Sequence, residues 1–227
     1  DLGNGSFVHS EVREIGGSAY RFDANGYMVT GWYGVNGAWE YYGTSGAQAR
    51  SWVQVGSSWY YLDPETGIMR TGWQNVGDTW YFLDASGAMA TGWMSQGGAW
   101  YYMDANGAML TGWNVVRGSW YYFRSSGEMV TGWLNLGGTW YYLNGSGAMV
   151  TGTQWIGSER HWFYDSGAWW GLYPEPSRGG GSGNARTFNN CTEAWNAGAA
   201  PLRRGDPGYS ADLDRDGDGV ACEVRPR

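Results

Sequence analysis

The chain has 227 residues with 17 Trp, 17 Tyr and 40 Gly but only 15% charged residues, and this composition favours many short β-hairpins over long helices. Its net charge is −7 and its 14 basic residues are all Arg, so it offers no basic stripe to a phosphate backbone, which argues against nucleic-acid binding. No stretch approaches the roughly 20 apolar residues that span a bilayer, so no membrane span is expected.

A Thr-Gly-Trp tripeptide that recurs every 20 residues sets the period of the chain. The tripeptides end at Trp73, Trp93, Trp113 and Trp133, and a second tryptophan follows each of them seven residues later, at Trp80, Trp100, Trp120 and Trp140. The same spacing extends backward through the pairs Trp32/Trp39 and Trp52/Trp59, and forward to Thr153, where the leading Trp is lost. The period predicts a tandem array of units about 20 residues long.

Each unit is predicted to form a short β-hairpin. Runs such as Trp80-Tyr81-Phe82-Leu83 are β-prone, and turn-forming residues such as Gly77-Asp78 flank them. A pairing centred between Val76 and Gly77 would place Trp73 directly across from Trp80. Because an isolated two-stranded hairpin is marginal in water, about seven or eight units must stack on each other, which predicts an all-β solenoid with atypical terminal units.

The repeated aromatic side chains could be the core of a thin solenoid, and Tyr102 and Leu143 are expected to pack in this way. Two Trp, a Tyr and a Met in each unit nevertheless favour cages for a quaternary ammonium group, because a Trp face attracts such a cation by about 0.5 to 2 kcal/mol. Three rings and a Met thioether would give millimolar affinity, which repetition along a polymer would strengthen. Aromatic faces also stack on sugar rings, so an α-glucan is the alternative ligand.

The unit Thr-Gly-Trp-x6-Trp-Tyr-Tyr-Leu-x3-Gly-Ala-Met closely resembles the choline-binding repeats of bacterial cell-wall proteins, over roughly residues 16–170. The resemblance implies a left-handed β-hairpin solenoid in which choline groups of teichoic acids, or another cell-wall polysaccharide, bind between successive hairpins. Each cage would take two tryptophans from one unit and a tyrosine from the next. The best-matching cages are Trp73, Trp80 and Tyr101; Trp93, Trp100 and Tyr121; and Trp113, Trp120 and Tyr141, with Met89, Met109 and Met129 lining them.

Two outer cages follow the same pattern with departures. Trp52, Trp59 and Tyr81 belong to a unit that begins at Ser51 in place of Gly, whereas Trp32, Trp39 and Tyr60 belong to a unit with Glu40 inserted and Gln48 at the Met position. At the last interface Phe163 would take the place of the tyrosine. The cages are therefore expected to fail toward both ends of the array.

The aromatic period stops after Tyr173, which predicts a repeat solenoid over residues 1–173, a Gly/Ser/Pro linker over 174–183 and a small domain over 184–227. Near its end, Asp214, Asp216 and Asp218 alternate as in a calcium loop, and Ca²⁺ prefers six to eight oxygen ligands. Glu223 stands at position 10 of this loop, whereas an EF-hand has its glutamate at position 12. We therefore expect a shortened Ca²⁺ loop in which Val220 supplies a backbone carbonyl.

This ending strongly resembles the small extracellular calcium-binding domain called Excalibur, over residues 187–223. The resemblance rests on Asn190-Cys191 upstream and on Cys222-Glu223 within the loop, and it implies a disulfide between Cys191 and Cys222. Closing a loop of about 32 residues would contribute roughly 3.5 to 4 kcal/mol. Metal and disulfide together are expected to determine whether the domain folds.

Catalytic groups are scarce in this sequence. His9 and His161 are the only histidines, which argues against a His-dependent triad, and the glutamates lie singly at variable repeat positions. The chain is therefore expected to be a non-catalytic, extracellular module associated with the cell wall. Because it opens at Asp1 without a starting Met, we expect a processed protein or an excised fragment, either the targeting tail of a lytic enzyme or glucansucrase, or a stand-alone adhesin or surface scaffold.

Overall fold

The computed structural model describes residues 8–172 and 187–224, apart from residues 198, 205 and 207. Over this part of the chain, consecutive strands pair as antiparallel hairpins. The repeat strands are β1 (Glu11–Ile15), β2 (Ser18–Phe22), β3 (Gly31–Val35), β4 (Ala38–Tyr42), β5 (Ser51–Val55), β6 (Ser58–Leu62), β7 (Gly72–Val76), β8 (Thr79–Leu83), β9 (Gly92–Gln96), β10 (Ala99–Met103), β11 (Gly112–Val116), β12 (Ser119–Phe123), β13 (Gly132–Leu136), β14 (Thr139–Leu143), β15 (Gly152–Ile156), β16 (Glu159–Phe163) and β17 (Trp169–Leu172). The all-β hairpin array predicted from the period is confirmed, and its left-handed sense stays a prediction. The predicted linker lies outside the described residues.

The hairpin of β7 and β8 shows how one repeat folds. Gly77 (φ 58°) and Asp78 (φ 61°) form a two-residue turn, and both have the left-handed backbone that matches the twist of paired strands. Trp73 consequently pairs with Phe82. The predicted pairing of Trp73 with Trp80 is wrong, because the turn is centred one residue further along the chain, where an aspartate accepts the positive φ.

Backbone hydrogen bonds from the connecting segments join successive hairpins. In the segment after β10, Leu110 N donates to the Tyr102 carbonyl of its own hairpin (2.9 Å). The neighbouring Met109 N donates to the Trp80 carbonyl of the preceding hairpin (2.9 Å). Equivalent bonds join Met89 to Trp59 (2.8 Å) and Met129 to Trp100 (2.7 Å). Each connector therefore holds its own hairpin against the one before it.

The core of the repeats is a row of side chains, each of which comes from the last residue of the second strand of a hairpin. Leu62, Leu83, Met103, Phe123 and Leu143 are fully buried, at 0% exposure. Complete burial of one such side chain contributes about 1.5 to 3 kcal/mol. The array therefore accumulates stability one buried residue at a time, and the expectation that Leu143 packs is confirmed.

A methionine-on-glycine contact packs each connector against the next. Gly107 has φ +81°, and a Cβ added there would overlap the Sδ, Cγ and Cε atoms of Met89. Gly87, Gly127 and Gly147 stand in the same relation to Met69, Met109 and Met129. Glycine is required here both for its positive φ and for the space that the methionine fills.

The chain divides into two compact units, Asp1–Gly132 with Leu143–Met149, and Trp133–Tyr142 with Val150–Arg227. In the second unit, β15, β16 and β17 form a three-stranded sheet. Its C-terminal part contains helix α1 (Cys191–Asn196) and the paired strands β18 (Leu202–Arg203) and β19 (Val220–Ala221). The small core there comprises Ala194, Ala200, Leu202, Ala221 and Cys222. The implied disulfide is confirmed, with the Cα atoms of Cys191 and Cys222 5.1 Å apart.

We expect Gly107→Ala to destabilise the array by about 2 to 4 kcal/mol, because the alanine is strained at positive φ and its methyl group overlaps Met89. Gly98→Ala is the matched control, since Gly98 has φ +83° but no atom within 4 Å of an added Cβ. The control should lose only about 1 kcal/mol. Urea unfolding followed by Trp fluorescence measures both free energies, and equal losses would show that the methionine contact contributes nothing.

Candidate functional site

The site with the best-defined geometry is a corner of three aromatic rings formed by Trp73, Trp80 and Tyr101. The ring centroids of Trp73 and Trp80 are 6.4 Å apart at an interplanar angle of 83°, and those of Trp73 and Tyr101 are 5.0 Å apart at 63°. The three faces enclose a cavity of about 350 Å³, which Met109, Ser125 and Ser126 also line. Trp80 remains 43% exposed, so the corner opens to solvent.

The alternation of side chains along a strand explains why this cage needs two hairpins. Adjacent residues of a strand point to opposite faces, so Trp100 and Tyr101 on β10 serve different interfaces. Trp100 faces the following hairpin together with Trp93, whose ring centroid lies 6.4 Å away. Tyr101 faces the preceding hairpin and contacts Trp73. Each hairpin thus gives two tryptophans to one cage and one tyrosine to another.

The other predicted cages have similar ring contacts. The Trp–Tyr centroids are 4.8 Å apart for Trp32 and Tyr60, 4.9 Å for Trp52 and Tyr81, and 4.9 Å for Trp93 and Tyr121. Trp52, Trp59 and Tyr81 enclose a cavity of about 330 Å³. Ser51 does not disturb this cage, because it adopts the left-handed φ of 62° that glycine has elsewhere. Trp113 lies 6.3 Å from Trp120, and Tyr141 occupies on β14 the position that Tyr101 has on β10.

The methionines lie one repeat away from the order given by the sequence. Met109, not Met89, lines the cavity of Trp73 and Trp80. Met89 lines the cavity of Trp52 and Trp59. The reason is the connector bond, which ties each methionine to the second tryptophan of the preceding hairpin. By the same bond Met129 is tied to Trp100, and Met149, a methionine beyond the three predicted to line cages, is tied to Trp120 (2.8 Å).

Glu40 is a substitution, not the insertion expected from the sequence. Strand β4 has the usual five residues, and Glu40 pairs with Tyr33 at the position that a tyrosine occupies in each of the strands β6, β8, β10, β12 and β14. Its carboxylate forms a buried ion pair with Arg21 (2.8 Å) and accepts a hydrogen bond from the Tyr42 hydroxyl (2.8 Å). The first hairpin has Val12 and Ala19 at the tryptophan positions. An internal cation and its counterion therefore fill the first interface in place of a ring cage.

The last repeat interface also departs from the pattern. Gln154 pairs with His161, so His161 stands at the tyrosine position, and its ring centroid is 5.1 Å from that of Trp133. Phe163, expected to replace the tyrosine, is fully buried one place before the turn. Trp169 adds a ring 5.4 Å from Trp133 and donates a hydrogen bond from Nε1 to His161 Nδ1 (3.2 Å). A step of 20 residues from Tyr141 leads to His161 and could have found it.

The carboxylates of three aspartates in the C-terminal loop lie close together. One carboxylate oxygen from each of Asp214, Asp216 and Asp218 lies within 4.8 Å of the others. Two oxygens on one Ca²⁺ are at most about 5 Å apart, because each bond is 2.3 to 2.6 Å, so the cluster fits this ion. Asp214 is buried, and it accepts hydrogen bonds from Gly217 N (3.0 Å) and Gly219 N (2.9 Å).

The charges around the loop also suit a cation. The Tyr209 hydroxyl donates to Asp214 (2.6 Å), and this bond is the largest cause that holds the pKa of Asp214 below its usual value. Burial raises the pKa of Glu223, and the neighbouring carboxylates, Asp218 first, raise it further. Glu223 lies near the three aspartates but outside their cluster. Val220 begins β19, and its N–H donates to Asp218 (2.8 Å).

Two family models match the chain. The model described as choline-binding repeat matches residues 9–51, 29–71, 70–111 and 110–153, which together make up more than half of the chain. The model described as Excalibur calcium-binding domain matches residues 188–223. Comparison with curated protein sequences found no match.

Similar solved structures come from Streptococcus pneumoniae. CbpJ is 46% identical over 67% of this chain and 56% of its own, with a TM-score of 0.66. Choline binding protein F, in the presence of a peptidoglycan analogue, is 44% identical over 66% of this chain and 55% of its own, with a TM-score of 0.63. The choline-binding domain of CbpL is 30% identical over 70% of this chain and 86% of its own, with a TM-score of 0.52. This chain therefore spans little more than half the length of the first two. Among its described residues, no helix has the length and apolar character needed to cross a membrane.

Tyr42 donates a hydrogen bond to Glu40 of the ion pair at the first interface, and we expect the protein to lose stability at high pH when this hydroxyl ionises. Burial and the hydrogen bond to Glu40 raise the pKa of Tyr42 from 10.0 to about 12. The neutral Tyr42 hydroxyl therefore makes its full contribution to the free energy of unfolding below about pH 10. This contribution, up to about 2 kcal/mol, is lost as the pH rises to about 12. Tyr42→Phe should remove this part of the pH dependence in urea unfolding.

Tyr27→Phe is the control for the other tyrosines, since Tyr27 is 73% exposed. It should keep the pH dependence of the unchanged protein. Equal slopes of unfolding free energy against pH in the Tyr42→Phe variant and the unchanged protein would contradict the assignment.

Proposed function

This chain belongs to the choline-binding repeat family, and on that premise we propose that it is a non-catalytic module that binds choline on a cell-wall polymer. The choline groups bind between successive hairpins. The polymer is a choline-decorated teichoic acid, and the module works outside the cell at the wall. The C-terminal Excalibur domain binds Ca²⁺ through Asp214, Asp216, Asp218 and Glu223, with the Val220 carbonyl as a further ligand.

The observation that carries this proposal is the steep angle between the rings of each cage. Trp73 stands at 83° to Trp80 and at 63° to Tyr101, so the three faces meet as walls of a corner. A trimethylammonium group is round and can touch all three walls at once. A sugar ring is flat and stacks best on one ring or on parallel rings, so the geometry favours choline over an α-glucan.

Charge supports a cationic ligand at the same place. The pKa of Tyr101 is raised by burial and then by the charge of Glu128, which places a carboxylate near the cage of Trp73 and Trp80. Each ring contributes about 0.5 to 2 kcal/mol, so a single cage has millimolar affinity. Several cages along one array then bind a repetitive polymer with much higher avidity.

We expect Trp80→Ala to remove about one bound choline per chain, because it deletes one wall of the cage and its 43%-exposed face is the one that meets ligand. Trp155→Ala is the matched control, since Trp155 is 64% exposed and lines neither cavity described above. Equilibrium dialysis with labelled choline measures the bound amount. Retention on dextran together with no choline binding by the unchanged protein would overturn the choice of ligand.

Calcium binding gives a separate expectation. Asp216→Ala should weaken Ca²⁺ binding at least about tenfold, because it removes one of three clustered carboxylate ligands. Asp212→Ala is the control, because Asp212 is exposed and lies outside the cluster. Calorimetric titration with CaCl₂ measures both variants. Absence of any binding heat in the unchanged protein would contradict the calcium assignment.

A further inference from the structure

A cavity of about 580 Å³ lies in the second compact unit, outside the repeat cages. Its lining residues come from the end of the last repeat, from helix α1 and from the C-terminus of the calcium loop. They are Tyr164, Trp170, Trp195, Glu223 and Val224. No residue of this lining belongs to any of the predicted cages.

Three aromatic rings form most of the wall. The centroids of Trp170 and Trp195 are 5.0 Å apart at 55°, so the rings are tilted to each other. Trp162 supports the wall from behind, because it is only 3% exposed and its ring lies 4.8 Å from Tyr164 and 6.1 Å from Trp170. Arg203 covers Trp162, with its guanidinium 5.8 Å from that ring, and does not line the cavity.

Among the described residues of the lining, the charged group is the carboxylate of Glu223. Glu223 interacts electrostatically with Tyr164 and with four further carboxylates, those of Asp165, Asp214, Asp216 and Asp218. The four carboxylates of the loop outnumber the two positive charges of one bound Ca²⁺, so the cavity still combines ring faces with a negative surrounding. Both features attract a cation. The ring faces also accept a neutral apolar group, but the carboxylates favour a cation over it and repel an anion.

We propose that this cavity is a binding site for a quaternary ammonium group, built jointly by the last repeat and the calcium-binding domain. A quaternary ammonium group donates no hydrogen bonds, so it is matched by rings and needs one counter-charge. A primary ammonium group has three donors to satisfy, whereas the described residues of this wall present one carboxylate and one phenol beside two indoles that only donate. The site does not depend on the repeat cages, and it gives the calcium-binding domain a direct part in recognition.

The test uses the full chain in calcium-containing buffer, with 5-fluorotryptophan in place of Trp and fluorine NMR as the readout. Trp195→Phe and Trp80→Phe assign the two resonances that report on this cavity and on a repeat cage. Choline should shift the Trp195 resonance saturably. Its neutral isostere 3,3-dimethylbutan-1-ol should need an at least about tenfold higher concentration for the same shift, because it keeps the apolar contact with the rings but has no charge for the ring faces and the carboxylate to attract.

The two resonances keep this proposal separate from the function of the repeats. A shift of the Trp80 resonance alone overturns the cavity proposal and supports binding in the repeat cages. A shift of the Trp195 resonance alone supports the cavity proposal and overturns binding in the repeat cages. A shift of neither resonance overturns both. The exposed Trp155, assigned by Trp155→Phe, should stay unshifted throughout.

Trp170→Leu tests the wall without touching the calcium loop, since Trp170 lies on β17. It should weaken the Trp195 response to choline at least about threefold, because one of three rings is lost, and leave the Trp80 response unchanged. An unchanged calcium titration shows that the domain is intact in this variant. An undiminished Trp195 response would overturn the proposal.

Discussion

A hairpin of two five-residue strands cannot bury its own side chains, and this constraint shapes every other feature of the repeats. Each hairpin completes its core only at its contact with the next one, where a single residue such as Leu83 or Phe123 reaches full burial. The connector bond from Met109 N to the Trp80 carbonyl fixes the same contact from the backbone side. Beside that buried point, aromatic side chains line cavities that stay open to solvent. The candidate ligand sites are therefore the incompletely closed part of the interfaces that fold the chain.

The period of the sequence predicts the class of fold and the pairs of rings, because both follow from residues at fixed spacing. The predicted hairpin register is wrong, because the register depends on which residue accepts a positive φ, and here Asp78 does so beside Gly77. The methionine order was wrong for a different reason. Whether Met89 or Met109 meets Trp80 depends on which connector bonds to which hairpin, and local pattern carries no information on that choice.

Substitutions at the ends of the array have structural explanations that the pattern alone did not supply. Glu40 looked like an inserted residue, yet it occupies a tyrosine position because Arg21 supplies a partner for its charge. The sequence pattern favours Phe163 over His161 as the replacement for the tyrosine, because the aromatic run of that repeat has moved two places along the strand. In both cases a polar side chain stands where the repeats have a tyrosine, and a neighbouring side chain, Arg21 or Trp169, satisfies it.

Trp100 and Tyr101 are adjacent in the sequence but serve different interfaces, and this arrangement affects how such arrays evolve. One side chain completes the interface behind it and the other begins the interface ahead. Within the regular repeats, a stretch of 20 residues can therefore be duplicated or deleted in the gene, from any starting point in the period, and the regular interfaces that remain still receive their full set of rings. Each such event changes the number of ring cages by one and requires no new kind of binding site.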